Sequence, residues 1–146
     1  MPLKIRMRPG ERVIINGVVL RNRGPRAAEL DVLNHGIILH ERDIMLAEQN
    51  ISPFHQLYLL LQAMQLEEGD RELVQRQAIV TTSQIVVAAM KEGDQSTLEL
   101  GAEIVTLIGN RNYLMAMRRL QKVIGRPGDL RNEHRKEDEE TEEQDS

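Results

Sequence analysis

The residues of this chain best suited to do chemistry are cations crowded near its start. Lys4, Arg6, Arg8, Arg12, Arg21 and Arg23 all fall within the first two dozen positions. Lys4, Arg6 and Arg8 alternate with Leu3, Ile5 and Met7, and a period of two sends the two sets to opposite faces of a strand. A row of cations on a sheet face can follow the phosphates of a nucleic acid, and arginine adds bidentate contacts and base stacking. The local excess is large for an acidic protein. Residues 1–26 carry seven basic residues and one acid, while residues 27–125 and 126–146 each sum to −5, within a formal net charge of −4. That asymmetry suggests an end that faces a polyanion and an acidic tail that solubilises the protein or competes for the same cations. The plainer reading is a sheet face that is merely solvated.

The other reactive residue types form no comparable pattern. There is no Cys, which removes disulfides, thiol nucleophiles and thiolate-bound zinc. No glycine-rich phosphate cradle is present. His35, His40, His55 and His134 lack metal-ligand spacing, and His35 and His40, five apart, would point to opposite faces of a continuous strand. They read as polar surface or loop histidines. Glu41 and Asp43 would share a strand face and read as solvated charges at its end, because nothing nearby encloses them to separate their pKa values. No enzyme activity, cofactor or metal is expected. Aromatic residues make up 2% and the first is Phe54, so the basic region lacks the stacking platforms of the common single-stranded RNA modules. Any RNA contact there would run through phosphate, arginine and backbone.

The elements that must position these cations follow from the same pattern. Pro9-Gly10 ends the first strand. "RVIINGVVLR" is a hairpin around Asn16-Gly17, since a type I′ turn needs positive φ at both central residues. Gly24-Pro25 marks a second turn, "AELDVLNHGIILH" gives two further arms, and "HERDIM" is a last strand or the lead into helices. Ser52 and Pro53 then open a helix with Leu57, Tyr58, Leu61 and Met64 on one face, ended by Gly69. Asp70 caps a second helix running to Gly93, with a kink conceivable at the branched residues 79–82. Ser96 and Glu99 have capping-box spacing for a third, in which Gly101 suggests close helix packing. A fourth carries Tyr113, Met117, Leu120 and Ile124 as its apolar stripe, with Arg118, Arg119 and Lys122 outside it. From Arg126 onward the chain has one large apolar residue, Leu130, and seven acids in its last ten residues, so residues 126–146 are expected to be a disordered acidic tail. The opening "MPLKIRMRPG" lacks the apolar core of a signal peptide, and no apolar run approaches the roughly 20 residues of a membrane span. A cytoplasmic protein without membrane association is expected.

The stretch "LKIRMRPGERVIINGVVLRN" resembles the N-terminal signature of the FlbT family of flagellin-synthesis regulators. Its Arg8-Pro9-Gly10-Glu11-Arg12 stands where the family has K-P-G-E-R, and Ile15, Asn16, Gly17 and Val19 also match. "ILHERDIM", Ile38 to Met45, is similar to the family's V-L-R-E-K-D-I-L. "SPFHQLYLLLQAMQL" keeps Pro53, Tyr58, Gln62 and Met64 of a family helix, and "NRNYLMAMRRLQKVI" resembles its last helix. The resemblance spans about residues 3–125. It implies post-transcriptional control of flagellin, through binding of the 5′ untranslated region of flagellin mRNA and effects on translation and decay, as a repressor in some members and an activator in others. It also implies the flagellin regulator FlaF as a counterpart. It supplies no catalytic or RNA-contact residues.

The expected fold is α+β: a small antiparallel sheet or barrel over residues 1–48, a helical bundle over 49–125, and the tail over 126–146. The expected RNA-binding residues are Lys4, Arg6, Arg8, Arg12, Arg21 and Arg23, facing the flagellin mRNA leader. The rival reading is an interaction module or chaperone-like adaptor, whose helical half binds FlaF or flagellin without RNA contact and whose exposed sheet edge can form a homo-oligomer.

Overall fold

A computed structural model describes residues 3–131. Five short strands come first: β1 (Leu3–Met7), β2 (Arg12–Ile15), β3 (Val18–Arg21), β4 (Ala28–Val32) and β5 (Ile38–His40). Four helices follow: α1 (Pro53–Gln65), α2 (Arg71–Glu92), α3 (Gln95–Gly109) and α4 (Tyr113–Ile124). The fold is α+β, with the antiparallel strands preceding the helices, as the alternation and helical periodicity imply. The strands form two sheets, a β1–β4 ribbon and a three-stranded sheet in the order β3-β2-β5. Asn16 and Gly17, at φ 49° and 80°, make the tight turn joining β2 to β3.

The strands share a minimal core of Ile5, Met7 and Val13, flanked by Ile15, Val32 and Ile38. Leu3, expected on the buried face with Ile5 and Met7, is 56% exposed, because that core ends before it reaches the start of β1. The main core belongs to the helices. α1 packs on α2 and α4, and α3 on α2 and α4, so the four close into a ring. Its centre holds Leu57, Tyr58, Leu61, Ile104, Ile108, Met117 and Leu120, joined by Leu39 from β5.

Local signals explain the helix limits. The Ser52 hydroxyl accepts from His55 N–H and the Asp70 carboxylate from the N–H groups of Glu72 and Leu73, as expected of N-caps. α3 differs: its cap is Asp94, which takes the Thr97 N–H and hydroxyl, so the Ser96/Glu99 box is not used. A carboxylate two residues earlier offers the helix N-terminus a full negative charge. α2 runs unbroken through the branched cluster. There the hydroxyls of Thr81, Thr82 and Ser83 each bond the carbonyl four residues back, at 2.7–2.9 Å. Gly101 lies at a close approach of α3 to α2, where a Cβ would stand 2.4 Å from Val86 Cγ2.

The segment from His40 to Met45 joins the two halves. Glu41–Asp43 is a single 3-10 turn, so Glu41 and Asp43 do not share a strand face. Asp43 is buried rather than solvated, because α1 and α4 close over it. The Tyr58 hydroxyl donates to the Asp43 carbonyl at 2.5 Å, and Gln121 Nε2 donates to the Asp43 carboxylate at 2.9 Å. The Gln62 amide grips Met45, donating to its carbonyl at 3.0 Å and accepting its N–H at 2.7 Å. The expected tail boundary at Arg126 falls inside folded chain. Residues 127–131 are helical, Pro127 and Gly128 are buried, and Arg131 donates to the carbonyls of Glu41 and Ile44. The remainder of the expected acidic tail, residues 132–146, lies outside the described residues.

Candidate nucleic-acid interface

The six expected RNA contacts do not form one face; they divide into three settings. Arg8, Arg21 and Arg23 lie on two turns at one end of the strand region, and Asn22 joins those turns. Its side-chain nitrogen donates to the carbonyls of Met7 at 3.0 Å and Arg26 at 2.9 Å, while its oxygen accepts from Gly24 N–H. Its backbone pairs with Gly10 and Glu11, and the Glu11 carboxylate accepts from Arg8 N–H at 2.7 Å. Two turns are thereby stapled side by side. Arg8, Arg21, Arg23 and Arg26 project from them, exposed and in no ion pair among the described residues.

Arg12 stands opposite Arg21 in the β2–β3 register, but it is already neutralised. Its guanidinium lies 2.7 Å from Glu41 Oε1, and its N–H donates to Glu41 Oε2 at 3.0 Å. Burial alone would raise the Glu41 pKa. The hydrogen bonds from Arg12, with the charges of Arg12 and Arg131, outweigh it and hold the carboxyl below its usual 4.5. Arg12 therefore pins β2 to the 3-10 turn. Lys4 and Arg6 are exposed on β1, yet β4 places Asp31 and Glu29 directly opposite them. Cross-strand neighbours share a face, so that part of the ribbon is charge-balanced rather than basic.

A further group of cations surrounds a cleft of about 200 Å3 between β1, β5 and α4. Lys4 and Arg6 line it together with Arg42, Arg118 and Arg126, none of which the strand period singles out. Arg118 was legible only as a cation off the apolar stripe of α4, and Arg42 only as part of "HERDIM". Four consecutive residues, Leu3 to Arg6, line the cleft, so the backbone edge of β1 forms one wall. Leu114 lines the helical side. Asp43 is the acid in this lining, 3.6 Å from Arg126 Nε.

His40 also lines the cleft, and it is not a surface histidine: its side chain is 10% exposed. Its Nδ1 accepts from the Arg42 N–H at 3.1 Å, which leaves the proton of the neutral ring on Nε2. That Nε2 is buried, has no hydrogen-bond partner, and sits 3.4 Å from Glu11 Oε2. Burial, then the Arg42 charge, push its pKa below 6.5 against the opposing pull of Glu11 and Asp43. Among the described residues no three His, Asp or Glu side chains converge to hold a metal, and no helix is long and apolar enough to cross a membrane.

Comparison with known proteins decides the family. The sequence model described as flagellar protein FlbT matches residues 3–127. The chain belongs to the FlbT family. A probable flagellum biosynthesis repressor protein FlbT from a Caulobacter species is 36% identical over 72 residues, 49% of this chain and 54% of that protein. The flagellum biosynthesis repressor protein FlbT of Caulobacter vibrioides is 38% identical over 72 residues, 49% of this chain and 50% of that one. A probable repressor of the same name from Brucella ovis is 37% identical over 70 residues, 48% and 45% of the two chains. The matched stretch thus spans about half the length of these FlbT relatives. No solved structure matches the chain.

Proposed function

We propose that this FlbT-family chain represses flagellum biosynthesis after transcription, in the cytoplasm, by binding the 5′ untranslated leader of flagellin mRNA and altering ribosome access or nuclease exposure. The relatives' names support the regulatory part. The RNA part rests on one observation above the others: Asn22 staples together the two turns that carry Arg8, Arg21 and Arg23, all three exposed and without carboxylate partners among the described residues. Arginines carried on adjoining turns can meet successive phosphates of a single strand. No catalytic group is required, since occupancy of the leader is enough to regulate it.

The test is binding of leader RNA across a salt series. Three phosphate contacts to a single strand give a slope of log affinity against log salt of about −2. Charge reversal at Arg21 and Arg23 is expected to weaken binding by about tenfold or more per site, a loss of about 1.4 kcal/mol each, while leaving the circular dichroism of the fold intact. Unchanged RNA affinity in the double variant sinks the assignment.

A second reading has its own observation. α2 turns an apolar stripe outward, with Leu73, Val80, Val87 and Met90 all more than half exposed. Such a stripe suits a protein partner, FlaF or flagellin, or a second copy of this chain. A Val80→Asp, Val87→Asp variant that keeps RNA affinity but loses regulation in cells favours that reading.

A further inference from the structure

The cleft between β1, β5 and α4 is lined by more cations than acids. Lys4, Arg6, Arg42, Arg118 and Arg126 line it with one carboxylate, that of Asp43, while Asp31 and Glu29 stand opposite Lys4 and Arg6 on β4. Arg126 engages Asp43 at 3.6 Å, and Arg42 reaches Glu11 at 3.9 Å, both too long for strong paired hydrogen bonds. Lys4, Arg6 and Arg118 make no ion pair among the described residues. Apolar walls from Ile5, Val13, Leu39 and Leu114 lower the local dielectric and concentrate the field of these charges. Within the same lining, His40 has a buried Nε2 without a hydrogen-bond partner, 3.4 Å from Glu11 Oε2. An excess of positive charge in a concave site suits an oxyanion.

We propose that this cleft seats a phosphate group, between Arg6 on β1 and Arg118 on α4. Taken with the RNA reading above, on which this step rests, the group is a backbone phosphate. The strand then runs from the stapled turns across β1 to the helical half. RNA contact is therefore split between Arg8, Arg21 and Arg23 at one end and Arg6, Arg42, Arg118 and Arg126 at the other. Occupancy would couple the two halves, because the cleft walls come from both.

Two measurements on the full chain separate the outcomes. The first follows the His40 ring resonances by NMR while inorganic phosphate is added. A saturable shift that is lost in Arg118→Gln is expected, and absence of any shift overturns the proposal. The second compares leader RNA affinity of the parent, Arg6→Gln, Arg118→Gln and Arg21→Gln. Arg6→Gln and Arg118→Gln are each expected to lower affinity about fivefold and to reduce the salt slope by about 0.7. If only Arg21→Gln weakens RNA, the cleft is not part of the RNA path; the proposed function stands and this inference falls. If no variant nor the parent binds RNA but phosphate still shifts His40, the phosphate site stands with a small phosphorylated ligand as its source, and the RNA reading falls. Arg118 is exposed and off the core stripe, so its loss is not expected to unfold the protein; its thermal transition checks this.

Discussion

Single side chains at the junction carry much of what holds the two halves in register. Tyr58 is buried, and its hydroxyl donates to the Asp43 carbonyl while accepting from Gln121 Nε2 at 2.9 Å. Burial, reinforced by the Asp43 charge, pushes the phenol well above its ordinary pKa, so it remains a donor at any physiological pH. Tyr58→Phe leaves a buried carbonyl and an amide short of a partner. It is expected to cost about 1–2 kcal/mol in urea unfolding. His40 makes stability pH-dependent. Its folded pKa lies below 6.5, so the folded state binds fewer protons than the unfolded one. Stability is then full above pH 6.5 and declines as pH falls through the depressed folded value. The groups facing the ring are Arg42, Glu11, Asp43 and the backbone of Arg6. His55, also pushed down by burial, acts in the same direction. Unfolding free energy measured from pH 7.5 to 5 is expected to fall less steeply in His40→Gln, with the slope from His55 retained. Residue types in the sequence do not reveal this, because a histidine's burial is decided by what the rest of the chain packs over it.

At the scale of elements, the chain after α4 behaves as part of the fold up to Arg131. A Cβ added at Gly128 would lie 2.5 Å from Arg42 Cα and 2.9 Å from the Glu41 carbonyl oxygen, both rigid backbone. Gly128→Ala is expected to lift residues 127–131 off the 3-10 turn. The readout is faster amide exchange at Ile44 and Gln49, whose neighbourhood Arg131 binds. Gly101→Ala meets Val86, a stiff branched side chain, and is expected to cost about 1–3 kcal/mol through overpacking between α2 and α3. The N-caps at Ser52 and Asp70 and the Asn16-Gly17 turn were legible in the sequence, because each depends on residues within a few positions. The start of α3 was misplaced by two residues because Asp94 and Ser96 are both good caps, and local chemistry alone does not rank them. The folded stretch after Arg126 was also hidden. Its polar, charged composition resembles a solvated tail, and its anchoring partners lie more than 80 positions away in sequence.

For the whole molecule, charge distribution sets the behaviour toward a polyanion. Residues 132–146 contribute eight acids and two bases, a net of −6, so their removal turns the formal charge from −4 to +2. If the acidic segment competes with RNA for the arginines, truncation after Arg131 is expected to raise RNA affinity at low salt and to leave it unchanged at high salt, where screening removes long-range terms. Equal affinities at low salt would make the segment a solubilising one. The cut belongs after Arg131 rather than at Arg126, because the intervening residues hold the junction.

By itself the sequence determined the α+β architecture, most element limits, the family and the excess of cations near the start. All of these follow from local periodicity, turn chemistry and composition. Only the tertiary structure decided which cations are available. Register set Asp31 and Glu29 beside Lys4 and Arg6, the 3-10 turn gave Glu41 to Arg12, and Asn22 joined the turns that carry Arg8, Arg21 and Arg23. It also brought Arg118 and Arg126 to β1, more than 100 positions away in sequence. The physical reason is that electrostatic partnership depends on distances of a few ångströms in space, and strand pairing and helix closure are what convert sequence separation into such distances.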